Sequence, residues 1–334
     1  MKKLLLSLAC MLGMGIAASA FNNSAVMLLH NGKMTTYEAE QINDAMEAAE
    51  DGDVVILTEG TFPTFKITKK ITVRGVGEMT IINGDIDISI PGEPTLTANL
   101  LEFVKVIGVV YVNLPISRMV IKQCNVDYNS NSVVWIKAKT TDSYIDRCKI
   151  EDLRMYEVYT ETVTVDGVTS TFVLPCVQGL TITNSVINGT WGVDNDNHPS
   201  NDGRISTGST FLNCYIGRGE HSLGNVINSI IRYNQWALQC TNFVNTYFRK
   251  NQTSYNPATC TVTGCYFEDD SDLQYDSEDI TTKGYLGNDG TIIGPMGGNT
   301  PYTLRPAVPQ VTESSMKVDA EKKQLNVTLT VSPK

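Results

Sequence analysis

Residues 121–126 read IKQCNV, and a phrase of the same form returns six more times. The later copies are IDRCKI (145–150), ITNSVI (182–187), FLNCYI (211–216), VINSII (226–231), FVNTYF (243–248) and VTGCYF (262–267). Each copy places an apolar residue, two free positions, a small Cys, Ser or Thr, one free position and a second apolar residue. In five of the seven copies the residue before the small one is Asn or Gly: Asn184, Asn213, Asn228, Asn245 and Gly264. These types accept a left-handed backbone most readily. The phrase therefore reads as a strand end, one left-handed bend and the start of another strand, which is one rung of a solenoid.

Between successive small residues the steps are 24, 37, 29, 15, 17 and 19 residues. A coil that buries the same inward face on each turn takes extra residues only at its turns, where they leave as loops. The longest step contains residues 157–174, which alternate about Asp166-Gly167 and predict a hairpin arm. The 29-residue step contains the polar loop DNDNHPSNDG at 194–203.

Outward from the ladder, residues 36–50 predict a helix. Ile42, Ala45, Met46 and Ala49 recur at helical spacing, with Thr36 as a start cap and Asp51-Gly52 as the stop. Short strands separated by glycines follow at once, as a capped solenoid requires, since an uncovered first rung exposes a strand edge and the core. At the other end, Met316/Val318 and Leu325/Val327/Leu329/Val331 alternate about DAEKKQ and predict a closing hairpin over 312–334.

Residues 1–20 read as a secretory signal: Lys2 and Lys3, an apolar run, then Ala18-Ser19-Ala20. Cys10 offers a lipoprotein alternative. The expected location is the periplasm, cell surface or exterior. No other stretch has the apolar length of a membrane span. The chain of 334 residues has 26 Lys and Arg against 36 Asp and Glu. Loss of the leader removes two lysines and no acid, leaving 24 basic and 36 acidic residues, net −12. That balance argues against nucleic acid, which requires a basic surface. Of the seven remaining cysteines, Cys124, Cys148, Cys214 and Cys265 fill the small slot, match no zinc spacing, and read as stacked buried thiols. Export also permits disulfides.

With ladder, helix and strands in place, the chain resembles the pectate-lyase-like right-handed parallel β-helix superfamily. INDAMEAAEDGDVVILTEGTFPTFKITKKITVRGV at 42–76 is similar to that family's opening. TPYTLRPAVPQV followed by LNVTLTV is similar to the ends of secreted β-helix proteins of glycan-degrading gut bacteria. The resemblance implies an all-β fold with an N-terminal helical cap and a C-terminal hairpin cap. The domain order is a signal at 1–20, a β-helix at 21–311 and capping strands at 312–334. It also implies that function lies in the groove over the first sheet of each rung, several residues after the bend. Counting on from the small residue brings Trp191, His221 and Trp236 to that face, where stacked rungs would form a platform for sugar rings. The alternative is that these side chains point inward or cover a turn. Trp135 falls eleven residues after Cys124 and outside the count.

A lyase needs a base and a cation at the uronate carboxylate. Arg218, His221 and Arg232 are the candidates, with Arg204 and Lys137 nearby, although the arginine and Asn-Gly-x-Glu signatures of the related lyases are absent. The Gly-His-Gly motif of the polygalacturonase type is absent too. Asp194, Asp196, Asn197 and Asp202 supply closely spaced oxygens for an irregular calcium site, with Pro199 where an EF-hand requires glycine. The expectation is a monomeric exported protein that contacts polysaccharide or cell-surface glycan without a standard catalytic set. The alternatives are a polysaccharide lyase or glycoside hydrolase acting on a uronate polymer, and a structural adhesin.

Overall fold

The computed structural model describes residues 24–127, 130–166, 168–193, 207–234, 236–250, 252–268, 273–275, 278–303, 310–319 and 324–332. The leader expected at 1–20, Arg204, and the four candidate calcium ligands lie outside the described residues.

Two long sheets, of 13 and 14 strands, carry the chain, and beyond the opening hairpin their strands are paired in parallel. The fold is all-β and solenoid-like. In the first sheet the order follows the sequence from Val54–Leu57 to Thr261–Thr263. The second sheet has two adjoining columns of strands. Lys149–Arg154, Val186–Trp191 and Tyr215–Glu220 each run through both.

All seven copies of the phrase fall in register. Their first apolar residues pair in the series Ile121, Ile145, Ile182, Phe211, Val226, Phe243 and Val262. Their last ones pair in the series Val126, Ile150, Ile187, Ile216, Ile231, Phe248 and Phe267. Apart from the terminal Val262 and Phe267 these positions are buried, so the repeat is the inward face of the coil. The residue before the small slot is left-handed in every copy, at φ 50° for Gln123 and 52° for Arg147 as well as at the asparagines and Gly264. Phe103, at φ 54°, repeats the bend one turn earlier. The turn between the sheets therefore imposes this conformation even on residues that do not favour it.

The small slot is more than a packing position. The Cys148 amide donates to Ser185 Oγ at 3.0 Å, and Ser185 Oγ donates to the Thr183 carbonyl at 2.7 Å. Cys214 and Ser229 repeat the arrangement at 3.0 and 2.7 Å, and the Cys124 amide reaches Cys148 Sγ at 3.4 Å. Each side chain thus takes up an amide that the bend leaves outside the ladder. All seven cysteines among the described residues are free thiols. Burial pushes the Cys214 thiol up to about 12.

At the N-terminal end the helix is shorter than its periodicity predicts. Lys33–Glu38 pairs antiparallel with Ala25–His30, so Thr36 is in a strand and caps nothing. Asn31 and Gly32, at φ 48° and 75°, make the turn between them. A 3-10 turn at Ala39–Gln41 then leads into the helix Ile42–Ala48, which buries Ile42, Ala45 and Met46. Val158–Val165 and Val168–Pro175 form a separate antiparallel hairpin, most of whose residues are exposed.

Residues 273–275 and 278–303 return across the outside of the second sheet as a strap. Leu273, Ile280, Tyr285 and Ile293 bury against Val186, Tyr215, Ile230 and Tyr247, outward residues of four successive rungs. Asn184 Nδ2 donates to the Gly297 carbonyl at 2.7 Å, the Gly294 amide to the Asn228 carbonyl at 2.8 Å, and Gln123 Nε2 to the Thr303 carbonyl at 3.5 Å. The bend asparagines therefore also hold the strap. Gln310–Asp319 and Gln324–Ser332 form a two-stranded antiparallel sheet of their own.

Candidate functional site

The two columns of the second sheet meet at a corner. Pairing resumes there at Asp152, Gly189 and Arg218 after skipping Glu151, Asn188 and Gly217. The outward side chains at this corner line a groove of about 580 Å3 formed by Glu151, Asp152, Arg154, Trp191, Arg218 and Arg232 among others. Beside it, in the second column, successive rungs align Tyr111, Trp135, Arg154 and Trp191 in register. Stacked rungs are about 4.8 Å apart, so these side chains form one row.

Cations interleave with the rings of this row. Lys137 Nζ lies 4.4 Å from the Tyr111 centroid and 4.1 Å from that of Trp135, with Arg154 Cζ 5.3 Å from Trp135 on a neighbouring rung. Arg218 Cζ sits 5.0 Å from the Trp191 centroid. These contacts are within cation–π range. Tyr111 and Trp135 are 6.1 Å apart, and Tyr156 adds a third ring 5.9 Å from Trp135.

Three carboxyls line or flank the corner. Asn188 Nδ2 donates to Glu151 Oε2 at 2.7 Å and to Asp127 Oδ1 at 3.2 Å, bringing those two acids to one amide. Lys149 Nζ reaches Asp127 Oδ2 at 2.5 Å. Burial pushes the Glu151 carboxyl up, and the neighbouring Asp127 pushes the same way against the Asn188 bond. Asp152 is also raised, again chiefly by burial, although Arg154 at 2.8 Å from Oδ2 pulls it down. The Trp191 indole N–H adds a weak downward pull on Asp152 from outside hydrogen-bond geometry, since neither Nε1 nor Asp152 Oδ1 has a partner.

Among the residues proposed from sequence, Trp191, Arg218 and Arg232 come together at the groove. His221, at φ 60°, stands next to them with its ring 6.5 Å from Trp191. Trp236 is placed apart: it is 54% exposed, lies outside any strand, and its amide donates to Glu220 Oε2 at 2.8 Å. The in-register partners of Trp191 are Arg154 and Glu220. Trp135, which the count excludes, belongs to the row. Arg154 and Trp191 stand six residues after Cys148 and Ser185, whereas six positions separate Val126 from Val133 in the chain where one separates their partners Ile150 and Asp152. Counting from the marker without allowing for that insertion misses it. Asp152, Glu151 and Arg154 were missed as well. Their signal is the outward position of IEDLR after the phrase IDRCKI.

Among the described residues no group of three or more His, Cys, Asp or Glu side chains could hold a metal ion, and no helix is long and apolar enough to cross a membrane. No protein-family model matches the chain, and no curated protein or solved structure matches it.

Proposed function

We propose that the chain is an exported, monomeric, right-handed parallel β-helix of the pectate-lyase-like type that holds a glycan in the corner groove. The helix Ile42–Ala48 and the hairpin Gln310–Asp319/Gln324–Ser332 are its closing elements. One observation carries the functional reading: Tyr111, Trp135, Arg154 and Trp191 stand on successive rungs beside a groove rimmed with polar side chains. Sugar rings present apolar C–H faces and a rim of hydroxyls, which a row of aromatic rings with flanking hydrogen-bonding groups matches.

Affinity electrophoresis of the mature protein through a panel of polysaccharides tests the reading. Trp191→Ala and Trp135→Ala are each expected to weaken retention by about tenfold, the scale of one lost aromatic contact. Equal retention of wild type and both variants refutes it.

A second reading, a glycoside hydrolase or polysaccharide lyase, is favoured by the raised Glu151 carboxyl that shares Asn188 with Asp127. A carboxyl raised by burial and a neighbouring acid suits general-acid work. Product release from the retained polymer, lost in Glu151→Gln but not in Trp236→Ala, would establish that reading. Retention without any product over long incubation would remove it.

A further inference from the structure

The groove contains a cradle whose polar atoms are buried and unused. Asp152 is 8% exposed and its Oδ2 is taken by Arg154, yet Oδ1 has no partner. Trp191 Nε1 and Arg218 Nε are likewise buried without hydrogen bonds. Glu220 Oε1 is 3.8 Å from Arg218 Nε and beyond hydrogen-bond reach.

Gly189 lets two of these side chains close over it. A Cβ at this position would lie 3.3 Å from Asp152 Oδ1 and 3.4 Å from Arg218 Nη2. A carboxylate acceptor and a guanidinium donor therefore converge over a glycine, with Trp191 two residues along the same strand. Buried polar groups without partners are rare in native proteins, because each forfeits its hydration without recovering a hydrogen bond. Three of them along one groove mark a place where a ligand completes the set.

We propose that this cradle is a subsite for a neutral sugar, read through two neighbouring hydroxyls. This rests on the groove reading above and narrows its substrate class. One hydroxyl donates to Asp152 Oδ1, and the adjacent oxygen accepts from the Arg218 guanidinium. The rest of the ring lies along Trp191. A vicinal diol supplies one donor and one acceptor on adjacent carbons, matching the pair. A uronate carboxylate supplies acceptors only. It would also face the Asp152 carboxylate, whose Oδ2 is already engaged by Arg154 and whose Oδ1 would meet another acceptor. Like charges at a buried site repel strongly, so the acidic sugar is rejected here even though arginines rim the groove. A site built to bond a hydroxyl discriminates sharply against groups that cannot supply it.

Titration calorimetry on the mature protein tests this, with oligosaccharides of neutral hexans and xylans in one arm and oligogalacturonate and oligomannuronate in the other. The expected result is binding in the neutral arm that weakens at least about tenfold in Asp152→Asn. Gly189→Ala is expected to weaken it to a similar extent by filling the cradle. Both variants should keep the wild-type circular dichroism spectrum. Binding confined to the uronate arm overturns the proposal and leaves the groove reading standing. So does neutral binding that neither substitution changes. Binding in neither arm, with no retention on any polysaccharide, overturns both.

Discussion

The ladder of small residues and the corner groove stand on the same rungs and treat buried polar atoms in opposite ways. In the ladder, Ser185 and Ser229 each accept an amide from the rung before and donate to a carbonyl two residues back. Nothing there awaits an outside partner. A few residues along the same strands, Asp152 Oδ1, Trp191 Nε1 and Arg218 Nε are buried and unsatisfied. The repeat is therefore built to stack on itself, and the corner is built to be completed by something else. Stability and recognition occupy adjacent stretches of one strand, so substitutions can separate them.

The sharpest separation is expected in the core. Phe243 is fully buried, with its ring 4.8 Å from that of Phe248. Phe243→Ala should cost about 3–5 kcal/mol in chemical denaturation, with groove binding unchanged wherever the protein remains folded. Next comes the ladder. Ser229→Ala strands the buried Cys214 amide and should cost about 1–3 kcal/mol. A loss indistinguishable from zero would show that the small slot is packing alone.

The groove should respond in the opposite sense. Burial raises the Asp152 and Glu151 carboxyls above their ordinary values of 3.8 and 4.5. Their contribution to stability is complete below those values and is lost as pH rises through the higher folded-state values. Asp152→Asn should therefore leave stability unchanged or higher near neutral pH and flatten its decline from about pH 4 upward, while weakening glycan binding. Denaturant midpoints measured across that range check it, and a neutral-pH loss as large as that of Ser229→Ala would contradict the contrast. The smallest effect with the clearest sign belongs to Asp87. Burial opposes ionisation there, but bonds from Ser89, Asn113 and Lys66 together bring the carboxyl below its ordinary value. Its contribution is present above about pH 3.8 and fades on acidification, so Asp87→Asn should flatten the acid limb slightly.

The inward face was legible because a coil must return the same residue type to the same place, and that periodicity is written in the seven phrases. Gln123, Arg147 and Phe103 show where the reading weakened. They take the left-handed bend without being residues that prefer it, since the geometry of the turn decides and local preference yields. The Asn31-Gly32 hairpin was written in the sequence and overlooked, and the helix was extended into its second strand. The groove was only partly legible. Outward residues obey no repeat, and a short insertion between Val126 and Val133 shifts the count, which hid Trp135 and favoured Trp236. The strap was invisible because its partners lie far away in sequence, Thr303 against Gln123 and Gly297 against Asn184.

That strap has a consequence for how the molecule assembles. A coil of rungs has only neighbour contacts, so it can grow from any point and fray from either end. Residues 273–275 and 278–303 break that locality by fastening one segment to rungs separated from it by as many as 180 positions in the chain. No such contact can form until the rungs it crosses are already stacked, and long-range closures of this kind are slow. A segment that follows the rungs in the chain thus acts as a latch on them, turning a stack that could unravel one turn at a time into one that must open together.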